Sequence, residues 1–159
     1  MPSNIIEHLE NFAGERYRSL IIHAVPDKSP ALSVFSKKVC DRLNAKYVDL
    51  LDLFIQSQNL SEKIDVFSPE KLQELLVVLS NSCSIVFIDR ADFLLDTWSK
   101  SDRQDFYRMI NNQWDGYKES MKSILIFCLQ TSQELESLVI KDSHDNTRIF
   151  RLSDFIDIN

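Results

Sequence analysis

The stretch from Ser19 to Leu43, SLIIHAVPDKSPALSVFSKKVCDRL, joins an apolar run, a short polar loop and a helix-like segment. The run SLIIHAV is predicted to form a buried strand because it is short, apolar and contains β-branched residues. Ser29 and Pro30 predict the start of a helix, with Ser29 as the N-cap and Pro30 at the first helical position, where a missing N–H is tolerated. The stretch is therefore a strand-loop-helix unit, from which parallel sheets are built.

Strand signals recur along the rest of the chain. The segment SIVFIDR has a fully apolar interior, which is typical of a central strand in a parallel sheet, and Asp89 stands near its carboxyl end. Other apolar runs predict three more strands, in KYVDLLDLF (46–54), SILIFCLQ (123–130) and RIFRLSDF (148–155).

Helical patterns separate these strands. SPEKLQELLVVLSNS begins with Ser68 as a predicted N-cap, followed by Pro69 and the acidic Glu70 of a first turn. The alternation predicts an α/β fold, a three-layer αβα sandwich with a five-stranded, mainly parallel sheet, formed by residues 1–159 as a single domain. Further helices are predicted in 4–17, 100–121 and 132–140, with a polar loop at 55–67.

Composition narrows the classes of partner. The 159 residues are 44% hydrophobic and carry a net charge of −6. Sequence-independent nucleic-acid binding needs clustered Lys and Arg, so we expect nucleic acid to be contacted only weakly or indirectly. The sequence has no apolar run of about 18 residues and no secretory pattern at its N-terminus, so we expect a cytoplasmic protein without membrane contact. The three cysteines are dispersed without CxxC spacing, and no metal is expected.

Nucleoside triphosphatases with this architecture need two chemical elements at the carboxyl ends of neighbouring strands. One is the phosphate loop GxxxxGK[ST], whose backbone N–H groups, Lys and Ser/Thr hold the phosphates and Mg²⁺. The other is an apolar strand that ends in Asp, often followed by Glu, which orient the metal and the attacking water. IVFIDRAD supplies Asp89, but Arg90 stands where the catalytic acid is expected. Asp92 lies two residues further on and would need a distorted backbone to replace it.

The phosphate loop cannot be recovered by aligning the motif on the helix start. That alignment sets Ala24, Ser29, Pro30 and Ala31 against the Gly, Gly, Lys and Ser/Thr of the motif. Three chemical roles are then lost together, and Pro30 also removes an N–H donor.

A second alignment, on DKS, keeps Lys28 and Ser29 but sets Ile22 and Asp27 against the glycines. Asp27 would place a negative charge against the phosphates, and the first alignment agrees better with the helix start. Three interpretations stay open: a working loop that uses Lys28, a degenerate loop that no longer supports hydrolysis, and a plain strand-loop-helix crossover without nucleotide ancestry. The degenerate loop is the interpretation that we favour.

Several segments together resemble the αβα core of the AAA+ family of P-loop ATPases, namely SLIIHAV with the helix after it, YVDLLDLF, SIVFIDRADFLLD and SILIFCLQTSQ. In that family a polar sensor residue ends the strand that lies between the Walker A and Walker B strands, and the resemblance places it near Thr131. The helical lid of the family would begin about where this sequence ends. The resemblance therefore implies an AAA+ core without a lid domain.

Within that superfamily, the size and layout are most similar to BrxF, the small P-loop protein family of BREX phage-defence systems. Its Walker B strand and following helix resemble FIDRADFLLDTWSKSDRQDFYRMI. The family of the replication initiator DnaA and its regulator Hda is a second resemblance. Both families have an intact glycine-rich loop, which this chain lacks, so the resemblance implies a degenerate member that serves phage defence or another DNA transaction.

Two residues are candidates for contact with a partner. Arg148 stands just before the last predicted strand, near where AAA+ proteins place an arginine finger, although a surface arginine at a strand start is the simpler interpretation. Trp98 lies in the polar loop DTWSKSD, has few reasons to be buried, and is the stronger interface candidate. The aromatic stripe of helix 100–121, which includes Trp114 and Tyr117, is predicted to belong to the core.

The leading hypothesis is a non-catalytic pseudo-ATPase without a bound cofactor, an adaptor or regulatory subunit of a larger bacterial complex. Its partner would be a protein, such as a larger ATPase or a defence-complex subunit, or a second copy of the chain. One alternative is an unconventional subunit that binds and hydrolyses Mg-ATP through Lys28 and Asp89. Another is an accessory subunit that binds DNA through a local basic groove.

Overall fold

The computed structural model describes residues 2–12, 19–81, 83–111 and 123–158. Its five strands are β1 (Ser19–Ala24), β2 (Lys46–Asp49), β3 (Ile85–Asp89), β4 (Ile124–Gln130) and β5 (Ile149–Arg151). They form one sheet in the order β2-β3-β4-β1-β5, and every neighbouring pair is parallel. All five carboxyl ends therefore lie at one edge of the sheet, where ligand sites of such folds are usually found.

Helices cover both faces of this sheet, so the predicted three-layer αβα sandwich is confirmed. Helices α1 (Ile5–Phe12) and α2 (Ser29–Leu43) pack on one face. The other face is covered by α3 (Leu50–Gln56), α4 (Gln58–Ser61), α5 (Pro69–Leu79), α6 (Asp92–Thr97), α7 (Lys100–Asn111) and α8 (Gln133–Glu136).

Side chains of each strand alternate between the two helical layers. Ile22 of β1 packs against α2, whereas Ile21 packs against the opposite layer. The same alternation sends Asp89, at the end of β3, toward α2 and His23, near the end of β1, toward α8. These two polar residues lie at the same edge of the sheet, but their side chains point to opposite faces of it.

The predicted strand at 46–54 is wrong beyond Asp49. Helix α3 begins at Leu50, and the Asp49 carboxylate acts as its N-cap by accepting the N–H of Asp52 at 3.1 Å. Leu50 and Phe54 lie one helical turn apart, and both are fully buried. The apolar residues therefore follow a helical spacing that the sequence pattern did not distinguish from a strand.

Two Ser-Pro pairs were predicted to start helices with the serine as N-cap, and this is confirmed for one of them. The Ser68 hydroxyl accepts the N–H of Lys71 at 3.2 Å and caps α5. Ser29 is instead the first residue of α2, which follows a 3₁₀ turn at Pro26–Lys28 without a break, and no side chain caps it. The prediction of Ser29 as N-cap is wrong because the turn already supplies helical backbone before it.

The helix predicted at 132–140 is α8 over Gln133–Glu136 and is wrong beyond Glu136, and the strand predicted at 148–155 ends at Arg151, where a 3₁₀ turn at Leu152–Asp154 follows. The helix predicted at 4–17 is α1 over its described part. Helix 100–121 is α7 as far as Asn111, while Trp114 and Tyr117 lie outside the described residues. The predicted loop at 55–67 contains α4 and a second 3₁₀ turn. Within the described ranges, none of the helices has the length and apolar character needed to cross a membrane.

Candidate functional site

A cavity of about 590 Å³ opens at the carboxyl edge of the sheet, between α2 and the ends of β2, β3 and β4. The connection after β1 passes to one face of the sheet, and those after β3 and β4 pass to the other, which leaves a crevice of the kind that binds ligands in α/β folds. We call it the Asp89 cavity. Its polar lining includes Ser33, Tyr47, Asp49, Asp89, Arg90 and Asp92.

The Asp89 carboxylate is held by donors of the chain itself. Its Oδ2 accepts hydrogen bonds from the Ser33 hydroxyl at 2.5 Å and from the Tyr47 hydroxyl, and its Oδ1 accepts the N–H of Arg90 at 2.9 Å. Burial and the bond to Asp89 raise the pKa of Tyr47, so the phenol stays protonated as a donor. Asp89 is only 4% exposed. Both of its oxygens therefore accept hydrogen bonds from the protein.

Arg90, which follows Asp89 directly, is bound to Asp49. Its φ is 57°, in the left-handed region, and its guanidinium turns back to the end of β2. Nε lies 3.0 and 2.9 Å from the two Asp49 oxygens, and Nη2 lies 2.6 Å from Oδ2. Burial alone would raise the pKa of Asp49, but the Arg90 guanidinium and a backbone N–H outweigh it and lower that pKa. The pair is therefore charged and bidentate.

Asp92 connects two elements at the carboxyl edge of the sheet. Its Oδ1 accepts the N–H of Gln130 at 2.8 Å and so fastens the start of α6 to the end of β4. Burial raises the pKa of Asp92. Within the described part of the chain, no group of three or more His, Cys, Asp or Glu residues could hold a metal ion.

The loop after β1 closes on itself. The N–H of Lys28 donates to the carbonyl of Val25 at 2.8 Å, and the N–H of Ser29 donates to the carbonyl of Pro26. Pro26 and Pro30 have no N–H to offer. A phosphate loop needs several backbone N–H groups that converge on the ligand, whereas here two of them are used inside the turn.

A second cavity, of about 420 Å³, lies on the other side of β1, and we call it the His23 cavity. His23 Nδ1 and Thr131 Oγ1 are 2.7 Å apart, and the N–H of Thr131 donates to the Ala24 carbonyl at 2.8 Å. Burial, and then the charge of Arg151, lower the pKa of His23, so its ring is neutral near pH 7. Lys28, Glu136 and Arg151 complete the ionisable lining.

The predicted nucleotide-site positions are thus divided between two cavities and a groove. Ser29, Pro30, Asp89 and Arg90 line the Asp89 cavity. The remaining positions lie elsewhere: Ala24, Lys28 and Thr131 line the His23 cavity, and Ala31 lines an apolar groove beside α2.

The two predicted interface residues are both buried, so the expectation that they face a partner from the surface is wrong. Trp98 is 5% exposed, and its indole N–H donates to the Phe67 carbonyl at 2.6 Å. Arg148 is 1% exposed. Its guanidinium donates to four backbone carbonyls from three separate parts of the chain, those of Ser19, of Ile110 and Asn111, and of Lys141.

Sequence reasoning missed Ser33, Tyr47, Asp49 and His23 as members of these sites. A signal existed for Asp49, because KYVD and VFID both end in Asp, and the structure pairs Asp49 with Asp89 in register. His23 was the one ionisable side chain inside the apolar run SLIIHAV. Ser33 and Tyr47 carried no signal, since only the packing of α2 and β2 brings them to Asp89.

Comparison of the chain with protein-family models, with curated proteins and with solved structures gives no match in any of the three. Functional assignment therefore rests on the contacts described above.

Proposed function

We propose that this chain is a non-catalytic, AAA+-like domain that acts by binding a protein, as an adaptor or regulatory subunit of a larger complex. The observation that carries the proposal is the closed turn between β1 and α2. Its N–H groups at Lys28 and Ser29 bond within the turn, and the Lys28 side chain lines the cavity on the far side of β1 from Asp89. The parts of a hydrolytic site are thus separated.

The strand that resembles Walker B supports the same proposal. Its Asp89 binds Ser33 and Tyr47, and the next residue, Arg90, is paired with Asp49. A hydrolytic site would need this carboxylate to face a hydrated metal and a second acid to activate water. The contacts here instead fasten α2 and β2 to β3.

The order of the strands supports AAA+ ancestry. β4 lies between β1 and β3, which is the place that the resemblance gives to the strand carrying the sensor residue. From the resemblance to AAA+ proteins, we also propose that the chain acts in phage defence or in another DNA transaction.

An exposed apolar groove supports a protein partner. It lies between α2 and the C-terminal segment, and its lining includes Ala31, Val34, Phe35 and Leu152. Val34 is 51% exposed. A groove of this kind can receive one apolar side chain of a protein partner. We expect Val34→Glu to reduce recovery of a partner co-purified from the native host, while Val78→Glu, on the exposed side of α5, leaves recovery unchanged.

Thermal unfolding with Mg-ATP tests the loss of nucleotide chemistry. A ligand at a hundred times its Kd adds about 2.7 kcal/mol to the free energy of unfolding, which would raise Tm by several degrees. We expect no rise. A rise that Asp89→Asn abolishes would overturn the proposal, provided that Asp96→Asn, an exposed acid in the same cavity, leaves the rise intact.

Two other functions have their own tests. Hydrolysis through Lys28 and Asp89 would show as phosphate release that Lys28→Ala abolishes. Binding to DNA would show as salt-sensitive retention in a gel shift, and its absence at low salt would remove that alternative. Two basic residues of α2 are already engaged, since Lys37 lies 5.3 Å from the centre of the Tyr47 ring and Lys38 lies 3.7 Å from Asp157.

A further inference from the structure

A histidine ring is the central polar group of the His23 cavity. His23 is 4% exposed, its ring lines the cavity, and its Nδ1 is paired with Thr131. Among the residues that the structure describes, none forms a hydrogen bond with His23 Nε2. His23 Nε2 is therefore available to a ligand that enters the cavity, while Nδ1 is held by Thr131.

Two basic side chains of the cavity wall can bind an anion, although the carboxylates of Glu136 and Asp154 also act electrostatically on His23. Lys28 and Arg151 both line the cavity, against the single carboxylate of Glu136 among its described lining residues. Arg151 Nη2 lies 3.9 Å from Glu136, and its side chain is 62% exposed. By contrast, Arg90 at the same edge forms a bidentate pair with Asp49, with Nη2 2.6 Å from Oδ2. The guanidinium of Arg151 therefore keeps donors for a ligand.

The rest of the lining suits a small molecule with an apolar part. Ala24, Val25 and Leu152 supply apolar walls, and Ser153 adds a hydroxyl. The volume of about 420 Å³ falls within the range of roughly 300 to 1,000 Å³ that is typical of small-molecule sites.

We propose that the His23 cavity binds a small oxyanion, a phosphate or a carboxylate, between Lys28, Arg151 and His23 Nε2. In the bound state the Thr131 hydroxyl donates to Nδ1, so the neutral ring carries its proton on Nε2 and donates it to the anion. The site lies apart from the Asp89 cavity, and it needs neither hydrolysis nor the adaptor role.

Titration with inorganic phosphate, and separately with acetate, tests the proposal. The readout is the nitrogen chemical shift of His23 Nε2, assigned by its loss in His23→Gln, at a low ionic strength held constant with chloride. We expect a saturable shift that Lys28→Ala and Arg151→Gln each weaken about fivefold, the size of an exposed charge interaction. Lys38→Ala, an exposed lysine of α2 outside this cavity, is expected to change nothing. Tighter binding of phosphate than of acetate identifies a phosphate ligand, and the reverse identifies a carboxylate.

A shift that never saturates, or one that Lys38→Ala weakens as much as Lys28→Ala does, would overturn the proposal. Asp89→Asn separates this proposal from the function proposed above, because anion binding should survive it. A rise in Tm with Mg-ATP that survives Asp89→Asn but disappears in Lys28→Ala would locate the phosphates in the His23 cavity. Such a result would support the anion site and leave the non-catalytic assignment standing.

Discussion

Tyr47 and Asp89 are joined by a hydrogen bond that ties the edge strand β2 to its neighbour β3, with the phenol as donor. Ser33 of α2 donates to the same carboxylate oxygen at 2.5 Å. One buried carboxylate thus connects two strands and the helix above them. The residue that would orient a metal in a nucleotide hydrolase is here a structural joint.

Removal of the Tyr47 hydroxyl should destabilise this joint. Tyr47→Phe keeps the ring but leaves one lone pair of a buried carboxylate without its donor, so we expect a loss of about 2 kcal/mol in the free energy of unfolding. Urea denaturation measures it. Ser33→Ala should cost a similar amount, whereas Ser101→Ala, on the exposed face of α7, should stay within about 0.5 kcal/mol of the wild type. Equal effects of the two serine changes would contradict the role given to Ser33.

The left-handed backbone at Arg90 should favour glycine over alanine. Arg90→Gly and Arg90→Ala both remove the pair with Asp49, so their difference reports the backbone alone. With φ at 57°, the alanine variant should be less stable by about 1 kcal/mol, because its Cβ crowds the following carbonyl. Urea denaturation of the two variants side by side gives this difference. An alanine variant as stable as the glycine variant would show that the residue relaxes from this conformation.

The Asp49–Arg90 pair should make part of the stability depend on pH. The pKa of Asp49 is lowered from its ordinary value of 3.8 in the folded protein, so the unfolded chain binds its proton more tightly. The stabilisation is therefore fully present above 3.8 and is lost as the pH falls through the lowered folded value. Asp49→Asn should flatten the fall in stability in this acid range and keep the cap of α3. An unchanged pH profile in the variant would mean that other carboxylates account for the fall.

The buried guanidinium of Arg148 should be among the most sensitive positions. Arg148→Met removes the donor shared by four carbonyls and should cost about 3 kcal/mol or more. Arg108→Met, which breaks an exposed pair with Asp105 on α7, should cost less than about 1 kcal/mol. Thermal or urea unfolding of both variants is the measurement. A mild effect of Arg148→Met would restore the surface role that the sequence suggested.

The framework of the fold could be predicted because its signals are local. Apolar runs such as IVFID predict strands, and Ser68 with Pro69 predicts a helix start from adjacent residues alone. Local pattern is not sufficient for the segment at 46–54. Its leucines and phenylalanine suit either element, and the N-cap contact between Asp49 and Asp52 selects the helix.

The site could be predicted only where its residues follow a strand directly, as Asp89 does. Arg148 and Trp98 were expected at the surface, but each reaches carbonyls that are distant in sequence and is buried there. The sequence suggested that Lys28 and Asp89 act together, but the 3₁₀ turn after β1 places the Lys28 side chain in a different cavity from Asp89.

The sequence by itself determined the alternation of strands and helices, the carboxylate at the tip of a buried strand and the absence of a glycine-rich loop. These follow from residue type and from spacing over a few positions. The tertiary structure alone decided that the carboxylate of Asp89 binds Ser33 and Tyr47, and that His23 lines the same cavity as Lys28 and Arg151. The reason is that strand order and helix packing bring together side chains that lie tens of residues apart, and local pattern carries no information about which of them will meet.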